Sequence, residues 1–158
     1  MEKPEHPSDS RIRLEIEKEV VKIISEKENI EFKTGIIQVG KDNVKLNFDF
    51  HCFSEELNII GEIYTRINGI KGAVEDKVAS DCLKLVFAAK LIGKPCIKRL
   101  IFIDENVKRE FEKETKWLAR AIKELDVTIE LIEISKNSMD KLQETNKLQQ
   151  IGNLQRYS

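Results

Sequence analysis

An α/β chain of the α+β kind, with a mixed central sheet and helices against it, is predicted by three observations. Apolar and polar residues alternate through a meander from Phe32 to Thr65. Stretches with apolar residues at helical spacing, or apolar nearly all round, lie on either side of that meander. A short apolar run, Arg99 to Asp104 (RLIFID), has the character of a strand buried on both faces.

Element by element, the order predicted is αβββαβαβ. Met1 to Ser10 is polar and proline-containing, a disordered lead. From Arg11, residues Ile12, Ile16, Val20, Ile23 and Ile24 place one apolar stripe on a helix ending near Glu28-Asn29. Phe32 to Val39 is β-branched and stops at the turn cluster Gly40-Lys41-Asp42-Asn43. Val44, Leu46, Phe48 and Phe50 then alternate with Lys45, Asn47, Asp49 and His51, and after Ser54-Glu55-Glu56 a third strand runs from Leu57 to Thr65. Residues 66–74 form a loop with two glycines, followed by a helix from about Glu75 to Ile92 that Gly93-Lys94-Pro95 stops. Beyond the RLIFID strand, Val107, Phe111, Leu118, Ile122 and Leu125 mark one amphipathic helix, and Val127 to Ile134 a last strand. A single domain spans residues 11–135, and 136–158 form a short helix with a frayed end.

Composition bounds the function. The 158 residues are 41% hydrophobic and 35% charged with net charge −1, so nucleic-acid binding needs a local patch, a dimer, or metal ions that offset carboxylates. Cys52, Cys82 and Cys96 have no paired spacing and read as reduced, packed thiols. No run of about 18 apolar residues is present, and a cytoplasmic protein with no membrane partner is expected.

The chemistry concentrates between Asn47 and Lys84. If the second turn is centred between Glu55 and Glu56, Asp49 lies opposite Glu62 and Asn47 opposite Tyr64. Alternation then puts those four on one face and Phe48, Phe50, Gly61 and Ile63 on the other. Opposed Cβ atoms are roughly 5 Å apart. At an effective dielectric of about 20, two carboxylates at that distance repel by roughly 3 kcal/mol. A solvated face would screen this repulsion, but Glu62 interrupts an apolar run facing both ways, where a lone acid needs a partner. In the next helix Lys77, Asp81 and Lys84 share one stripe, either a surface ion-pair ladder or the source of the cation that the carboxylates lack.

A helix, a three-stranded meander, a helix and a strand, with Asp49 on the second strand and Glu62 on the third, resembles the PD-(D/E)XK, or restriction-endonuclease-like, nuclease superfamily over about Arg11 to Asp104. The resemblance implies a Mg²⁺- or Mn²⁺-dependent nuclease acting on DNA. Asp49 and Glu62 would be metal ligands, with the carbonyl of Ile63 completing the protein's share, and Glu17 or Glu19 the helix-one acid. The family's acid-x-Lys is here Glu62-Ile63-Tyr64, so the lysine would come from the following helix as Lys84 or Lys77, with Asp81 between them and Tyr64 near a phosphate. Tyr64 in the lysine's place also fits a non-catalytic module that binds nucleic acid or assembles as a homodimer, and a targeting partner or a dimer through Leu142, Leu148 and Ile151 suits either reading. His51 has too few histidines around it for a zinc site. Trp117 is expected in a core or interface, and Lys94, Lys98 and Arg99 on a solvated edge.

Overall fold

The computed structural model describes residues 7–70 and 72–156. Its elements are α1 (Pro7–Glu28), β1 (Lys33–Val39), β2 (Val44–Phe53), β3 (Asn58–Tyr64), α2 (Gly72–Ile92), β4 (Ile97–Phe102), α3 (Glu105–Glu110), α4 (Trp117–Glu124), β5 (Val127–Leu131) and α5 (Lys136–Arg156). They form the mixed sheet with flanking helices that the pattern predicts. The strand order is β1-β2-β3-β4-β5, with β2 antiparallel to both neighbours and β3, β4 and β5 mutually parallel. The meander supplies the antiparallel half because short turns join its strands. The parallel half needs crossovers, which α2 and the α3–α4 pair provide.

Two apolar clusters divide the molecule into three layers. On one face Phe48, Ile60, Tyr64, Leu100 and Phe102 pack against α2, α3 and α4. On the other, Phe50, Ile59, Ile63 and Ile101 pack against Ile16, Val20 and Ile24 of α1 and Leu142 of α5. Every residue of β3 is buried, as its two-sided apolar run requires. Gly93, at φ 68°, ends α2 by donating its amide to the Ala89 carbonyl at 3.2 Å.

The structure departs from the sequence reading in several places. α1 already begins at Pro7, inside the expected lead; residues 1–6 of that lead, and 157–158 of the expected frayed end, lie outside the described residues. The single helix expected over 107–125 is two. Phe111 leaves the helix to stack on Phe102 at 5.3 Å between ring centroids, and Glu114 and Thr115 offer no apolar contact to hold a turn between Phe111 and Leu118. β5 stops at Leu131, and Ile132 and Ile134 continue as buried irregular chain, Ile132 still donating its amide to the Phe102 carbonyl at 2.9 Å. α5 runs 21 residues, longer than the short helix expected, and Leu142, read as a dimer contact, is buried in the chain's own core.

The largest correction concerns β2. Gly35 pairs with Phe48 and Lys33 with His51, so Asp49 and Phe50 together oppose Thr34. This is a β-bulge, and it breaks the alternation: Phe48 faces α2 while Phe50 faces α1. The register with β3 stands as expected, Phe50 against Gly61 through Phe53 against Asn58. Gly61 is required there, since a Cβ on it would lie 2.0 Å from Phe50 Cζ.

Candidate functional site

Asp49 lies at the end of the β2–β3 ladder, one residue beyond the Phe50–Gly61 pair and beside Glu62. The Ile63 amide donates to Asp49 Oδ2 at 2.8 Å, which fixes that carboxylate. Glu62 is only 4% exposed, and its side chain lies within hydrogen-bond reach of the Asp49 carboxyl. Burial above all, then Asp49, push the Glu62 carboxyl up to about 8, against the pull of Lys84. Near neutral pH the Glu62 carboxyl therefore holds its proton.

α2 supplies the charges over this pair, because its Lys77, Asp81, Lys84 stripe faces β3. Lys84 Nζ touches Glu62 Oε1, donates to the Asn47 carbonyl at 2.7 Å, and lies 3.8 Å from Asp81 Oδ1 and 5.3 Å above the Phe48 ring. Glu62 Oε1 is buried and, despite that contact, has no aligned hydrogen bond. The Tyr64 hydroxyl donates to Asp81 Oδ2 at 2.8 Å, and Lys77 Nζ approaches the same oxygen at 3.3 Å. Burial, then Asp81, push the Tyr64 phenol far upward and keep it a neutral donor. Asp81 thus carries the two lysines and Tyr64 on one buried carboxylate.

Of the two helix-one acids, Glu17 joins the cluster. Its carboxyl is pushed up by burial and by the Asp49 charge, with Arg13 and Lys77 acting oppositely. Glu19 is elsewhere: it accepts the Ser135 amide at 2.8 Å and the Ser138 hydroxyl at the start of α5, a capping role. Asn47 reaches the cluster through its backbone carbonyl rather than its side chain, and Ile63 brings its amide to Asp49.

Among the described residues no group of three or more His, Cys, Asp or Glu side chains gathers to hold a metal ion. The donor set is smaller: the adjacent carboxyls of Asp49 and Glu62, the latter with a buried oxygen that lacks an aligned bond. Mg²⁺ keeps several waters and is commonly held by one or two carboxylates, so this set fits it.

Other expectations fall away from the site. Arg99 is buried rather than on a solvated edge, because its guanidinium is held by Glu28 at 2.9 and 3.0 Å and Glu130 at 2.6 and 2.9 Å above the Phe32 and Phe50 rings. Trp117 is not in the core but 74% exposed in the first turn of α4. His51 is buried with Nδ1 unpartnered, and burial, then Lys33, lower its pKa. The three cysteines are free thiols. Among the described residues no helix is long and apolar enough to cross a membrane.

Arg13 and Arg66, which the sequence reading did not single out, line a cavity at the C-terminal end of β3 together with Lys77 and Tyr64. Their only sequence signal was position: Arg66 two residues past Tyr64, Arg13 one turn before Glu17. Comparison of the chain with protein-family models, curated proteins and solved structures finds no match.

Proposed function

We propose that this chain is a Mg²⁺- or Mn²⁺-dependent nuclease hydrolysing phosphodiester bonds, in DNA above all, built on a PD-(D/E)XK-like core. One observation carries the reading: Asp49 and Glu62, on adjacent strands, hold their carboxyls together in a buried site, with Lys84 against Glu62. Such a pair carries a proton where a divalent cation could replace it. The element order and the acids on the second and third strands support the same reading.

Asp49, Glu62 and the carbonyl of Ile63 would hold the metal, which supplies positive charge to the phosphoryl oxygens and makes water a stronger acid. The chain's own residues position the rest. Asp81, fixed by the Tyr64 hydroxyl, stations the ammoniums of Lys84 and Lys77 beside the carboxylates. Lys84 carries three N–H donors on one point charge and can orient the attacking water or stabilise the phosphoryl charge. Glu17, at the other rim and near Asp49, can accept a proton from that water.

The test pairs calorimetric titration of Mg²⁺ and Mn²⁺ with cleavage of circular and linear DNA. Wild type binds metal and cleaves; Glu62→Gln and Asp49→Ala lose both. Absence of metal binding by wild type, or full metal-dependent cleavage by both Asp49→Ala and Glu62→Ala, overturns the reading. A specific observation favours a second one, a non-catalytic nucleic-acid-binding module: Lys84 already occupies the space against the Glu62 carboxyl, and Tyr64 stands where the family's lysine would. That reading is upheld if the chain binds DNA with no dependence on Mg²⁺ or on Glu62.

A further inference from the structure

Beside the carboxylate pair lies a cavity of about 390 Å³ between β3, the first turns of α2, α1 and α5. It starts at Ile63 and Tyr64, the residues directly after Glu62, and Lys77 lines it while pairing with Asp81 of the catalytic cluster. Its charge is one-sided: Arg13, Arg66 and Lys77 line it and, among the residues whose side chains are described, no acidic one does, in a chain whose acids outnumber its lysines and arginines. One of these cations keeps donors to spare: Arg66 directs its Nε to the Gly69 carbonyl at 3.2 Å. A guanidinium in that state is a fork open to phosphate oxygens.

The remaining wall is of a different kind. Ile63, Val74 and Leu142 give an apolar surface, and the side chain of Asn146 offers both a donor and an acceptor. A bare phosphate needs neither; a nucleotide uses the apolar surface for its base face and the amide for its base edge. The volume sits at the small-molecule end of the range of about 300–1,000 Å³ for ligand pockets, so a duplex cannot enter.

We propose that this cavity seats one unpaired nucleotide of the substrate strand, its phosphate on Arg13 and Arg66 with Lys77 linking it to the cleavage centre. The substrate is then a single strand or a strand end rather than the interior of a duplex. The assignment rests on the nuclease reading, and its test is kept apart by working without metal. The probes are deoxythymidine 5′-monophosphate and a short oligothymidylate, followed by calorimetry and amide chemical shifts, with deoxythymidine and inorganic phosphate as comparisons. The nucleotide is expected to bind saturably, and Arg13→Ala and Arg66→Ala each to weaken it by about fivefold or more, the size of a lost charge-assisted contact. Ala73→Phe, which fills the cavity and keeps every charge, blocks binding, whereas Glu62→Gln leaves it intact.

The inference is overturned if the monophosphate shows no saturable binding at millimolar concentration, if the Arg13→Ala/Arg66→Ala double variant binds as wild type does, if inorganic phosphate binds as tightly as the nucleotide, or if duplex DNA competes as well as the single strand. Metal-dependent cleavage with no nucleotide binding sinks this assignment alone. Nucleotide binding with no cleavage upholds the cavity and sinks the hydrolytic reading instead.

Discussion

Replacing Glu62 with glutamine should make the protein more stable in mild alkali while changing little in acid. In the folded chain the Glu62 carboxyl is pushed from 4.5 up to about 8, first by burial and then by Asp49. Because the folded state binds this proton more tightly than the unfolded state, the contribution is fully present below pH 4.5, shrinks as pH rises, and is lost above about 8. At about 1.4 kcal/mol per pH unit over that interval, the loss is on the order of 5 kcal/mol. Glutamine keeps the shape and cannot ionise. His51, whose neutral form burial favours, and Glu17, whose carboxyl is also pushed up, both persist in the variant and largely cancel in the difference. Urea denaturation of both proteins from pH 4.5 to 9 should give curves that nearly coincide at the acid end and separate steadily, with Glu62→Gln ahead by several kcal/mol at pH 9, a magnitude set by the same linkage. Parallel curves, or a variant that falls behind in alkali, would refute the proton held on Glu62 and with it the argument that a divalent cation could displace it.

Four further outcomes follow from the same contacts. Addition of Mg²⁺ at pH 7 should release protons from wild type, read as a binding heat that varies with the ionisation enthalpy of the buffer, and Glu62→Gln should show no such dependence. Tyr64→Phe leaves Asp81 without its hydroxyl donor and should cost about 1.5–3 kcal/mol in denaturant midpoint analysis, the worth of a hydrogen bond to a charged group; a loss near zero would mean that Lys77 and Lys84 alone satisfy Asp81. Gly61→Ala drives a methyl group into the Phe50 ring and should destabilise by about 3 kcal/mol or more, whereas Gly72→Ala at the start of α2 should stay within about 0.5 kcal/mol of wild type. Arg99→Ala strands Glu28 and Glu130 around a vacated site and should cost about 3 kcal/mol, recovered in part by Arg99→Met; equal losses for the two variants would contradict this account of the triad.

Where period and turn chemistry act together, the fold is legible in the chain. The β2–β3 register follows from the tight turn at Ser54–Leu57, closed by the Ser54 amide on the Leu57 carbonyl at 2.9 Å, and the opposition of Asp49 to Glu62 follows from the register. The burial of Glu62 was legible too, because an acid in a run that is apolar on both faces has nowhere solvated to point. What was not legible depends on contacts distant in sequence. Arg99 reads as one of three basic residues flanking a strand until Glu28 and Glu130, 71 and 31 residues away, are folded against it. Trp117 reads as core or interface, and the break after Phe111, which turns the first residue of α4 outward, removes the core alternative. Arg13 and Arg66 become neighbours only when α1 crosses the end of β3.

The bulge in β2 shows why a site can be guessed from alternation and still be drawn wrongly. Strict alternation would send Phe48 and Phe50 to one face and Asp49 to the other, with Glu62 and Tyr64. The extra residue opposite Thr34 instead sends Phe48 toward α2, under the Lys84 ammonium, while Phe50 stays against α1 and fills the space that Gly61 leaves. Phe48 and Asp49 then both serve the α2 side, one as the apolar floor beneath Lys84 and the other as the acid beside Glu62. A low-dielectric floor adds to the burial that, with Asp49 alongside, holds a proton on Glu62 near neutrality. The irregularity therefore sets the electrostatics of the site as well as its shape: with strict alternation through β2, Phe48 would lie on the face of Phe50 and the floor beneath Lys84 would be gone.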